Sequence, residues 1–371
     1  MFTTILILFV VLGILILVHE WGHFVTARKS GVHVEEFGIG FPPRMVSRLG
    51  KDGVIYSINW IPLGGFVKIK GENGEDREDP DSFGSKSFSK RALILSAGVL
   101  MNVLLAFFIF SVGYMFGMPQ AISDDMDNNQ KVTDVKIQIE SVLKDSPADL
   151  AGLAMGDQIV KIDEVELNKI SELQEYIKLN ENDSQTLLIN RNEESFTTEI
   201  SSEIIDGFSE DKVIGVALVK TGFVRYNFFE SWYQGGKVTV KMLGRIAVAF
   251  YDLFKNLILG HGLSADVSGP VGVAVITGQV AERGLIYLLQ FTAILSLNLA
   301  VLNFIPFPAL DGGRFLFIVI EKIRRKPNNQ EIENAVHGIG FALLMILIVF
   351  ITYRDFIKFG GGIIEWFKNI F

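Results

Sequence analysis

The stretch Val18-His19-Glu20-Trp21-Gly22-His23-Phe24 closes a long uncharged run at the N-terminus of the chain. Two histidines four positions apart lie on one face of an α-helix, about one turn from each other, and this spacing suits a zinc ion. The glutamate between them can reach a water molecule on the metal. Residues 2–18 contain no charged side chain, so the same helix is also predicted to span a membrane. The sequence therefore predicts a metal site at membrane depth.

The composition indicates a membrane core combined with a soluble module. Of the 371 residues, 49% are hydrophobic and 20% are charged, and the mean hydropathy is +0.35. Such a chain is too apolar for an ordinary soluble protein and too charged to lie entirely in a membrane. It has no cysteine, which excludes disulfides, thiolate metal sites and cysteine nucleophiles. Any metal must therefore be bound by His, Asp, Glu or Asn.

Four segments are predicted to span the membrane: Phe2 to His23, Ala92 to Met118, Leu285 to Leu310 with a break near Pro306, and Ala335 to Tyr353. We expect the first to be retained, because Met1 to Thr4 lacks the basic residues of a signal peptide and no small-residue cleavage site precedes the histidines.

The distribution of charge predicts the orientation. Basic residues flank the first and third loops, so both loops are expected in the cytoplasm. The stretch from Gln120 to Lys220 holds 22 acidic and 9 basic residues and is expected outside, together with both termini. The basic residues are Arg28, Lys29, Lys86, Lys90 and Arg91 around the first loop and Arg314, Lys322, Arg324, Arg325 and Lys326 around the third.

Between the first two spans, Phe37 to Pro43 and Val54 to Ile69 alternate as β-strands do, with interruptions by glycine and proline. These segments are apolar for a cytosolic loop. We predict short strands and hairpins that re-enter the membrane near the metal and offer an edge, near Gly64 and Gly65, to an extended peptide. A surface hairpin is the alternative. The charged segment Gly71 to Asp81 is predicted to be a flexible loop.

Two further apolar segments are predicted to be helices with packing roles. In the second span, Ser96, Gly98 and Asn102 are typical of helix–helix contacts, and we assign them no catalytic role. From Phe228 to Leu259, basic residues recur every four positions, which indicates an amphipathic helix at the membrane surface or against the spans. The next segment, Ser268 to Gly272, is expected to form a turn.

The stretch Ser146 to Asp163 resembles the core of bacterial PDZ domains, in which a short helix, a glycine turn and a Gly-Asp-x-Ile strand follow a proline. The surrounding residues 132–219 alternate strand-like segments with one helical segment, as the resemblance requires. PDZ domains bind an extended peptide along a sheet edge. Another small α+β domain is the alternative.

A hydrolytic zinc site generally has three protein ligands and leaves one position for water. A third histidine six residues after His23 is absent, because Lys29 stands there, and no glutamate follows at a suitable distance. The best candidate is Asp311, which ends an apolar segment that two prolines interrupt and which the topology places at the same cytoplasmic depth as the histidines. A simple loop turn at Asp311 is the alternative. His33, His261 and His337 are weaker candidates for metal binding.

Five segments occur in an order typical of one family: the H-E-W-G-H of His19 to His23, the G-x-G of Gly38 to Gly40, Ile61 to Phe66, the PDZ-like core, and the N-x-x-P-x-P-x-L-D-G-G of Asn303 to Gly313. In these the chain resembles the site-2 protease family of intramembrane zinc metalloproteases, in particular the bacterial regulator-of-sigma-E type. The best-known members carry two tandem PDZ domains, whereas this sequence has room for one.

The resemblance implies a Zn²⁺ cofactor and a specific site. The implied metal ligands are His19, His23 and Asp311, the implied catalytic acid and base is Glu20, and Asn298 and Asn303 are implied to lie near the substrate backbone.

We therefore expect a polytopic α-helical membrane protein with four transmembrane helices, a membrane-re-entrant β element and an inserted α+β PDZ domain. The expected segments are 1–27 (first transmembrane helix), 28–91 (cytoplasmic loop with re-entrant β segments), 92–119 (second transmembrane helix), 120–221 (extracytoplasmic PDZ domain), 222–283 (amphipathic interfacial region), 284–320 (third transmembrane helix) and 321–371 (cytoplasmic loop, fourth transmembrane helix and tail).

The expected function is cleavage of single-span membrane proteins within the cytoplasmic membrane of a bacterium, with the active site near the cytoplasmic side. Anti-sigma factors and signal-peptide remnants are possible substrates. The expected partners are these transmembrane substrates, the lipid bilayer and a peptide ligand of the PDZ domain, with no nucleic acid. Two alternatives remain at this point: a divalent-metal transporter, and a membrane-tethered PDZ scaffold.

Overall fold

The computed structural model describes residues 2–122, 131–180, 184–191, 194–205, 211–260 and 269–368. The chain forms two compact units, one of Met1–Gly113 with Trp232–Phe371 and one of Tyr114–Ser231. The helices are α1 (Phe2–Lys29), α2 (Phe88–Phe116), α3 (Pro147–Leu150), α4 (Ile170–Leu179), α5 (Phe228–Ile258), α6 (Pro270–Glu282), α7 (Leu285–Phe304), α8 (Asp311–Arg324) and α9 (Gln330–Lys368). The strands are β1 (Val34–Leu49), β2 (Ile55–Ile69), β3 (Met118–Ala121), β4 (Val132–Val142), β5 (Gln158–Ile162), β6 (Val165–Glu166), β7 (Ser184–Arg191), β8 (Glu194–Ser201) and β9 (Val216–Val224).

Among the described residues, four helices are long and apolar enough to cross a membrane: Thr3–Lys29, Phe88–Phe116, Leu285–Phe304 and Gln330–Ile357. The prediction of four apolar helices of this kind is confirmed, although their ends differ. The third helix stops at Phe304, before the predicted end at Leu310, because Pro306 cannot continue the hydrogen-bond ladder and disfavours helical geometry in the residue before it.

The β element of the first unit consists of two long strands, where the sequence predicted several short strands and hairpins. β2 curves so that two of its parts pair with the two edges of β1. At Gly38 the partner is Phe66 on one edge and Ser57 on the other. The backbone has positive φ at Gly40 (80°) and Gly64 (100°), where a side chain would be strained. These glycines bend the strands without ending them.

One end of this β element exposes a large apolar surface. Met45, Val46, Leu49 and Trp60 are between 51% and 67% exposed. An exposed apolar patch of this kind is normally covered by lipid or by another protein. The surface is consistent with the predicted re-entry into the membrane, which stays a prediction.

Helices α1 and α2 cross at very short distance. A side chain at Gly22 would come within 2.5 Å of the Ala97 carbonyl oxygen, so only glycine permits this approach. Next to the crossing, Phe24 and Phe37 pack with ring centroids 5.2 Å apart and join α1 to β1. The shared apolar core also takes in Ile94 of α2 and residues of β2 and α8. The crossing turns the histidine face of α1 towards α2.

Two ion pairs hold α8 against the rest of this unit. Arg91 of α2 donates two hydrogen bonds to Glu321, at 3.2 and 3.0 Å. Arg314 pairs with Glu72, which lies in the segment predicted to be a free, flexible loop. The ion pair ties this turn-rich segment to α8 at Glu72, and its flexibility stays a prediction.

The segment expected to form a turn before the third span begins a helix instead. Pro270 occupies the first turn of α6, where its missing N–H costs nothing. The buried carboxylate of Asp355, on α9, accepts hydrogen bonds from the backbone N–H groups of Gly269 (3.2 Å) and Gly272 (2.7 Å). A carboxylate at a helix N-terminus satisfies free donors and is favoured by the helix dipole.

The second unit is an antiparallel sheet with the strand order β3-β9-β4-β5-β7-β8, and β6 pairs with β5. Its core combines strand residues such as Ile139, Ile159 and Leu187 with Leu173 and Ile177 of α4. α3 and β5 are the short helix and the Gly-Asp-x-Ile strand noted in the sequence. Among the described residues of this unit, α3 and α4 are the two helices that begin and end within it.

Asp157 is the polar centre of this unit and should be important for its stability. It is 1% exposed, accepts from the Ala154 N–H at 2.8 Å and is bound twice by Arg191, at 2.6 and 2.7 Å. We expect Asp157→Ala to lower the free energy of unfolding of this unit by about 2 kcal/mol, because Arg191 and the Ala154 N–H lose the charged acceptor that they share. The slowest-exchanging amides of β5 and β7 in the full-length protein measure this change.

Glu166→Ala is the matched control, since Glu166 forms an exposed ion pair with Lys161 in the same sheet. It should change stability by less than about 0.5 kcal/mol. Equal effects of the two substitutions would contradict the role given to Asp157.

Candidate metal centre

Three side chains from two distant parts of the sequence converge in the first unit. His19 Nε2 lies 3.0 Å from Asp311 Oδ2, and His23 Nε2 lies 3.3 Å from the same oxygen. The two Nε2 atoms are 3.2 Å apart. Both histidines are buried, and the three residues form the one His/Asp/Glu group among the described residues whose ligand atoms are close enough for one metal ion.

The spacing of these atoms fits a tetrahedral zinc ion. Ligand atoms bound at about 2.1 Å to the same ion are about 3.4 Å apart at the tetrahedral angle, close to the observed separations. Two imidazole nitrogens and a carboxylate are ligands that zinc accepts, and a set of three leaves a fourth position open.

The second ring nitrogen of His23 fixes the protonation state that metal binding needs. His23 Nδ1 is 2.8 Å from the Ile94 carbonyl oxygen, so Nδ1 carries the proton and donates it. In a neutral imidazole Nε2 is then unprotonated and free to bind a cation. The carbonyl comes from α2, so the close crossing of α1 and α2 orients this ligand.

The structure also places Gly98 and Asn102 of α2 against the histidines, although the sequence indicated only helix packing for them. A side chain at Gly98 would collide with both imidazoles, coming within 2.7 Å of His19 Cε1. The Asn102 amide lies 3.3 Å from His19 Nδ1, and Ser296 Oγ of α7 donates to the Asn102 carbonyl oxygen at 2.8 Å. These residues were missed because their role depends on which face of α2 meets α1.

The buried amide of Asn102 can set the tautomer of His19. Its Oδ1 has no hydrogen-bond partner among the described residues. If the amide is turned by 180° about its Cβ–Cγ bond, Oδ1 accepts the Nδ1–H of His19. That orientation satisfies the oxygen and leaves His19 Nε2 unprotonated, as in His23.

Glu20 lies between the histidines and the β element. It is close enough to His19, His23 and Asp311 to interact with them electrostatically. A Cβ atom at Gly65 would lie 3.7 Å from Glu20 Cγ. Gly65, which the sequence suggested as a substrate contact, is therefore beside Glu20.

Gly64 precedes Gly65 within β2. A Cβ atom at this position would come within 2.9 Å of the Phe41 ring and 3.6 Å of Ile16 of α1. Gly64 thus packs between the β element and α1, next to Gly65.

The two asparagines of α7 differ in their surroundings. Asn303 Nδ2 is 3.4 Å from His19 Nε2, so Asn303 belongs to the site. Asn298 donates to the Ile294 carbonyl oxygen of its own helix at 2.9 Å. The structure brings Asn303, and not Asn298, into hydrogen-bond distance of the converging ligand atoms.

The glycines after Asp311 allow the preceding segment to fold back on α8. A side chain at Gly312 would collide with the carbonyl oxygens of Phe304 and Ile305, and one at Gly313 would collide with the Phe307 carbonyl oxygen. Arg314, one turn after Asp311, pairs with Glu72. Burial raises the pKa of the Glu72 carboxyl, while the Arg314 guanidinium opposes this rise.

The weaker metal candidates lie apart from the centre. Among the described residues, neither His33 nor His337 joins the group of converging ligands. His337 instead accepts a hydrogen bond from the backbone N–H of Ala309. His261 lies outside the described residues.

Comparison with known proteins gives consistent matches. Residues 7–347 match the model of peptidase family M50. A Clostridium perfringens protein that carries a zinc metalloprotease name is 34% identical over 92% of this chain and 95% of its own. The zinc metalloprotease RasP of Geobacillus kaustophilus is 29% identical (94% and 97%), and the regulator of sigma E protease of Haemophilus influenzae is 26% identical (94% and 97%).

One solved structure among the matches is the PDZ domain of an SdrC-like protein from Listeria monocytogenes, at 27% identity, 24% coverage of this chain, 92% coverage of that domain and a TM-score of 0.22.

The family model covers most of the chain and includes both halves of the converging centre. The chain therefore belongs to peptidase family M50, the site-2 protease family, and is a metalloprotease.

Proposed function

We propose that this metalloprotease cuts single-span membrane proteins within the bilayer, with His19, His23 and Asp311 as ligands of its Zn²⁺ cofactor and Glu20 as catalytic acid and base. One observation carries the proposal: the side-chain ligand atoms of His19, His23 and Asp311, residues up to 292 positions apart, converge within 3.0–3.3 Å beside Glu20. Family membership and the zinc metalloprotease names of relatives support the identity of the metal.

The chemistry requires a nucleophile and a proton carrier in a place where water is scarce. Bound Zn²⁺ supplies an activated water and polarises the scissile carbonyl. Glu20 takes a proton from the attacking water and returns it to the leaving amine, which is the ordinary role of the glutamate in an H-E-x-x-H sequence. Asn303, 3.4 Å from His19 Nε2, is placed to hydrogen-bond the substrate backbone near the cut bond.

The substrate must unwind before it is cut, because the carbonyl groups of an intact helix are engaged in hydrogen bonds. In the part of the chain that the structure describes, residues 65–69 pair on one side only, with β1. Glu20 lies over the face of this segment, since a Cβ atom at Gly65 would be 3.7 Å from Glu20 Cγ. An extended segment of substrate can therefore add to the free edge of residues 65–69 and present its backbone to Glu20. Anti-sigma factors, signal-peptide remnants and peptide-pheromone precursors have suitable single spans.

The second unit is proposed to be an extracytoplasmic PDZ domain that binds or excludes the outer parts of substrates. A groove of about 690 Å³ runs between α4 and residues 211–218. Leu173 and Ile177 line it from the helix, and Val216 and Leu218 line it from the strand. An apolar groove beside a strand fits an extended peptide. The acidic charge of this region and the basic loops support its placement outside the cytoplasm.

The first and third loops, and the active site between them, are proposed to lie near the cytoplasmic side, with both termini outside. The amphipathic α5 is proposed to lie at the outer membrane surface. Its basic residues Lys237, Lys241 and Arg245 are exposed, as are apolar residues such as Val240 and Val248, and such a helix suits a lipid interface. Membership of a peptidase family favours the protease over the metal transporter and the PDZ scaffold.

Glu20→Gln tests the assigned chemistry. The substitution removes the proton carrier and keeps the shape of the side chain, so cleavage of a single-span test substrate in reconstituted membranes should fall by about 100-fold or more. The zinc content of the purified protein should stay unchanged. Glu35→Gln is the matched control, because Glu35 forms an exposed ion pair with Lys68. Cleavage that survives Glu20→Gln would refute the proposal.

Gly98→Ala tests the geometry of the metal centre without removing a ligand. The added methyl group collides with both imidazoles, so Zn²⁺ affinity, measured by competition with a chelator, should fall at least about 10-fold. Gly13→Ala is the matched control, since its methyl group meets no atom within 4 Å. If both variants keep the parent affinity, the histidines do not bind the metal in the arrangement described.

A further inference from the structure

The contact between His337 and Ala309 links the helix α9 to the segment that carries Asp311. The backbone N–H of Ala309 donates to His337 Nδ1 at 2.9 Å. Since Nδ1 accepts this bond, it is unprotonated, and a neutral ring carries its proton on Nε2. The contact joins residues 28 positions apart in sequence.

The segment between α7 and α8 has few hydrogen bonds of its own. Pro306 and Pro308 have no N–H to donate. The N–H groups of Phe307 and Leu310 bond within the segment, to the carbonyl oxygens of Ile305 and Phe307. In this segment, the N–H of Ala309 therefore finds its acceptor on another element, at His337 of α9.

Ala309 also has a backbone conformation that needs outside support. Its φ of +79° lies in the left-handed region, which residues with a side chain rarely adopt and which persists only where surrounding contacts impose it. The next residues are Leu310 and Asp311, so a relaxation at Ala309 would rotate the Asp311 carboxylate away from the histidines.

Helix α9 is built to approach this segment closely. A side chain at Gly340, one turn after His337, would collide with Pro308 and come within 2.7 Å of its carbonyl oxygen. The His337 ring also packs against Phe317 of α8, with centroids 5.3 Å apart. The packing of α9 against Pro308 and the contact with Phe317 of α8 thus fix the position of the His337 ring, which accepts the Ala309 N–H.

We propose that His337 is a positioning residue: by accepting the Ala309 N–H, it holds the left-handed turn that aims Asp311 at His19 and His23. The inference rests on the proposed function, in which Asp311 is a metal ligand. The Ile94 carbonyl oxygen contacts His23 and the Asn102 amide contacts His19. His337, on α9, would play the corresponding part for Asp311 through Ala309.

Two substitutions separate the acceptor from the ring. His337→Phe keeps the ring contact with Phe317 and removes the acceptor. His337→Asn removes the ring and puts an amide oxygen where Nδ1 was. The residue lines a polar cavity of about 320 Å³ together with Glu333 and Asn334, which tolerates the smaller polar side chain. His33→Phe is the control for replacement of a histidine elsewhere.

The first measurement is amide exchange at Ala309 in the metal-free, full-length protein. The flanking prolines leave few other amides in a peptide of this segment, so mass spectrometry can follow the Ala309 signal. Exchange should be at least about 10-fold faster in His337→Phe than in the parent, and close to the parent in His337→Asn and His33→Phe. Amides of α1 and α2, which lie in the same unit as His337, report in the same experiment whether each variant is folded.

The second measurement is Zn²⁺ affinity by chelator competition. It should fall about 10-fold in His337→Phe, and His337→Asn should restore most of the loss. The proposal is overturned if His337→Phe keeps the parent exchange rate and affinity, or if His337→Asn is as impaired as His337→Phe. If His337→Phe does not fold, His337→Gln replaces it, because its amide oxygen lies one bond too far out and should fail where Asn succeeds.

Asp311→Ala distinguishes this inference from the proposed function, because alanine has no atom that can bind a metal. If Asp311→Ala keeps the parent Zn²⁺ affinity, the ligand set itself is wrong. If Asp311→Ala loses affinity while His337→Phe does not, only the positioning role of His337 is wrong.

Discussion

The structure depends on the convergence of three lone-pair donors, from His19, His23 and Asp311, at separations of 3.0–3.3 Å. Without a cation between them these groups would compete for protons in a buried place, which is costly. The Ile94 carbonyl oxygen accepts the Nδ1–H of His23, so in the neutral ring the lone pair of Nε2 faces the other two ligand atoms. The three atoms therefore surround one point at which a metal ion can bind.

This convergence requires that helices approach more closely than ordinary side chains allow. Gly22 meets the backbone of α2 and Gly98 meets the imidazoles of α1. The two glycines lie on opposite helices at one crossing, so the histidine-bearing face of α1 packs directly against the backbone of α2, with the Asn102 side chain 3.3 Å from His19 Nδ1. Close packing of this kind restricts the positions that the two imidazoles can take.

The sequence was sufficient for the parts of the site that follow local rules. Helical spacing predicted the pairing of His19 and His23, and the chain topology predicted that Asp311 reaches them. The ends of α7 and α8 follow from Pro306 and the two glycines after Asp311, although the length of the third helix was overestimated. The curvature of β1 and β2 could not be predicted, because a glycine in an alternating segment is compatible with both a strand end and a bend.

The roles of the supporting residues could not be predicted from the sequence, for a different reason. Gly98, Asn102 and His337 occupy positions whose meaning depends on the rotation of one helix against another, and a uniformly apolar helix has no amphipathic pattern from which that rotation can be predicted. Most faces of α2 are apolar, and α9 is apolar after polar first turns that include Glu333 and Asn334. A polar residue such as Asn102 or His337 therefore does not indicate its partner. The partners, His19 and Ala309, lie in segments that approach only after folding.

The irregular backbone near the metal has a physical logic of its own. Non-helical segments at membrane depth must have their N–H and C=O groups satisfied by protein or water. The segment from Ile305 to Leu310 meets this demand with its own turns, two prolines and the contact from α9. The free edge of residues 65–69 of β2 has no such partner among the described residues, and Glu20 lies over the face of the strand at Gly65. An unpaired strand edge can accept the main-chain hydrogen bonds of an added extended peptide. Under the proposed function, a substrate helix that unwinds would regain at this edge the backbone hydrogen bonds that it loses on opening.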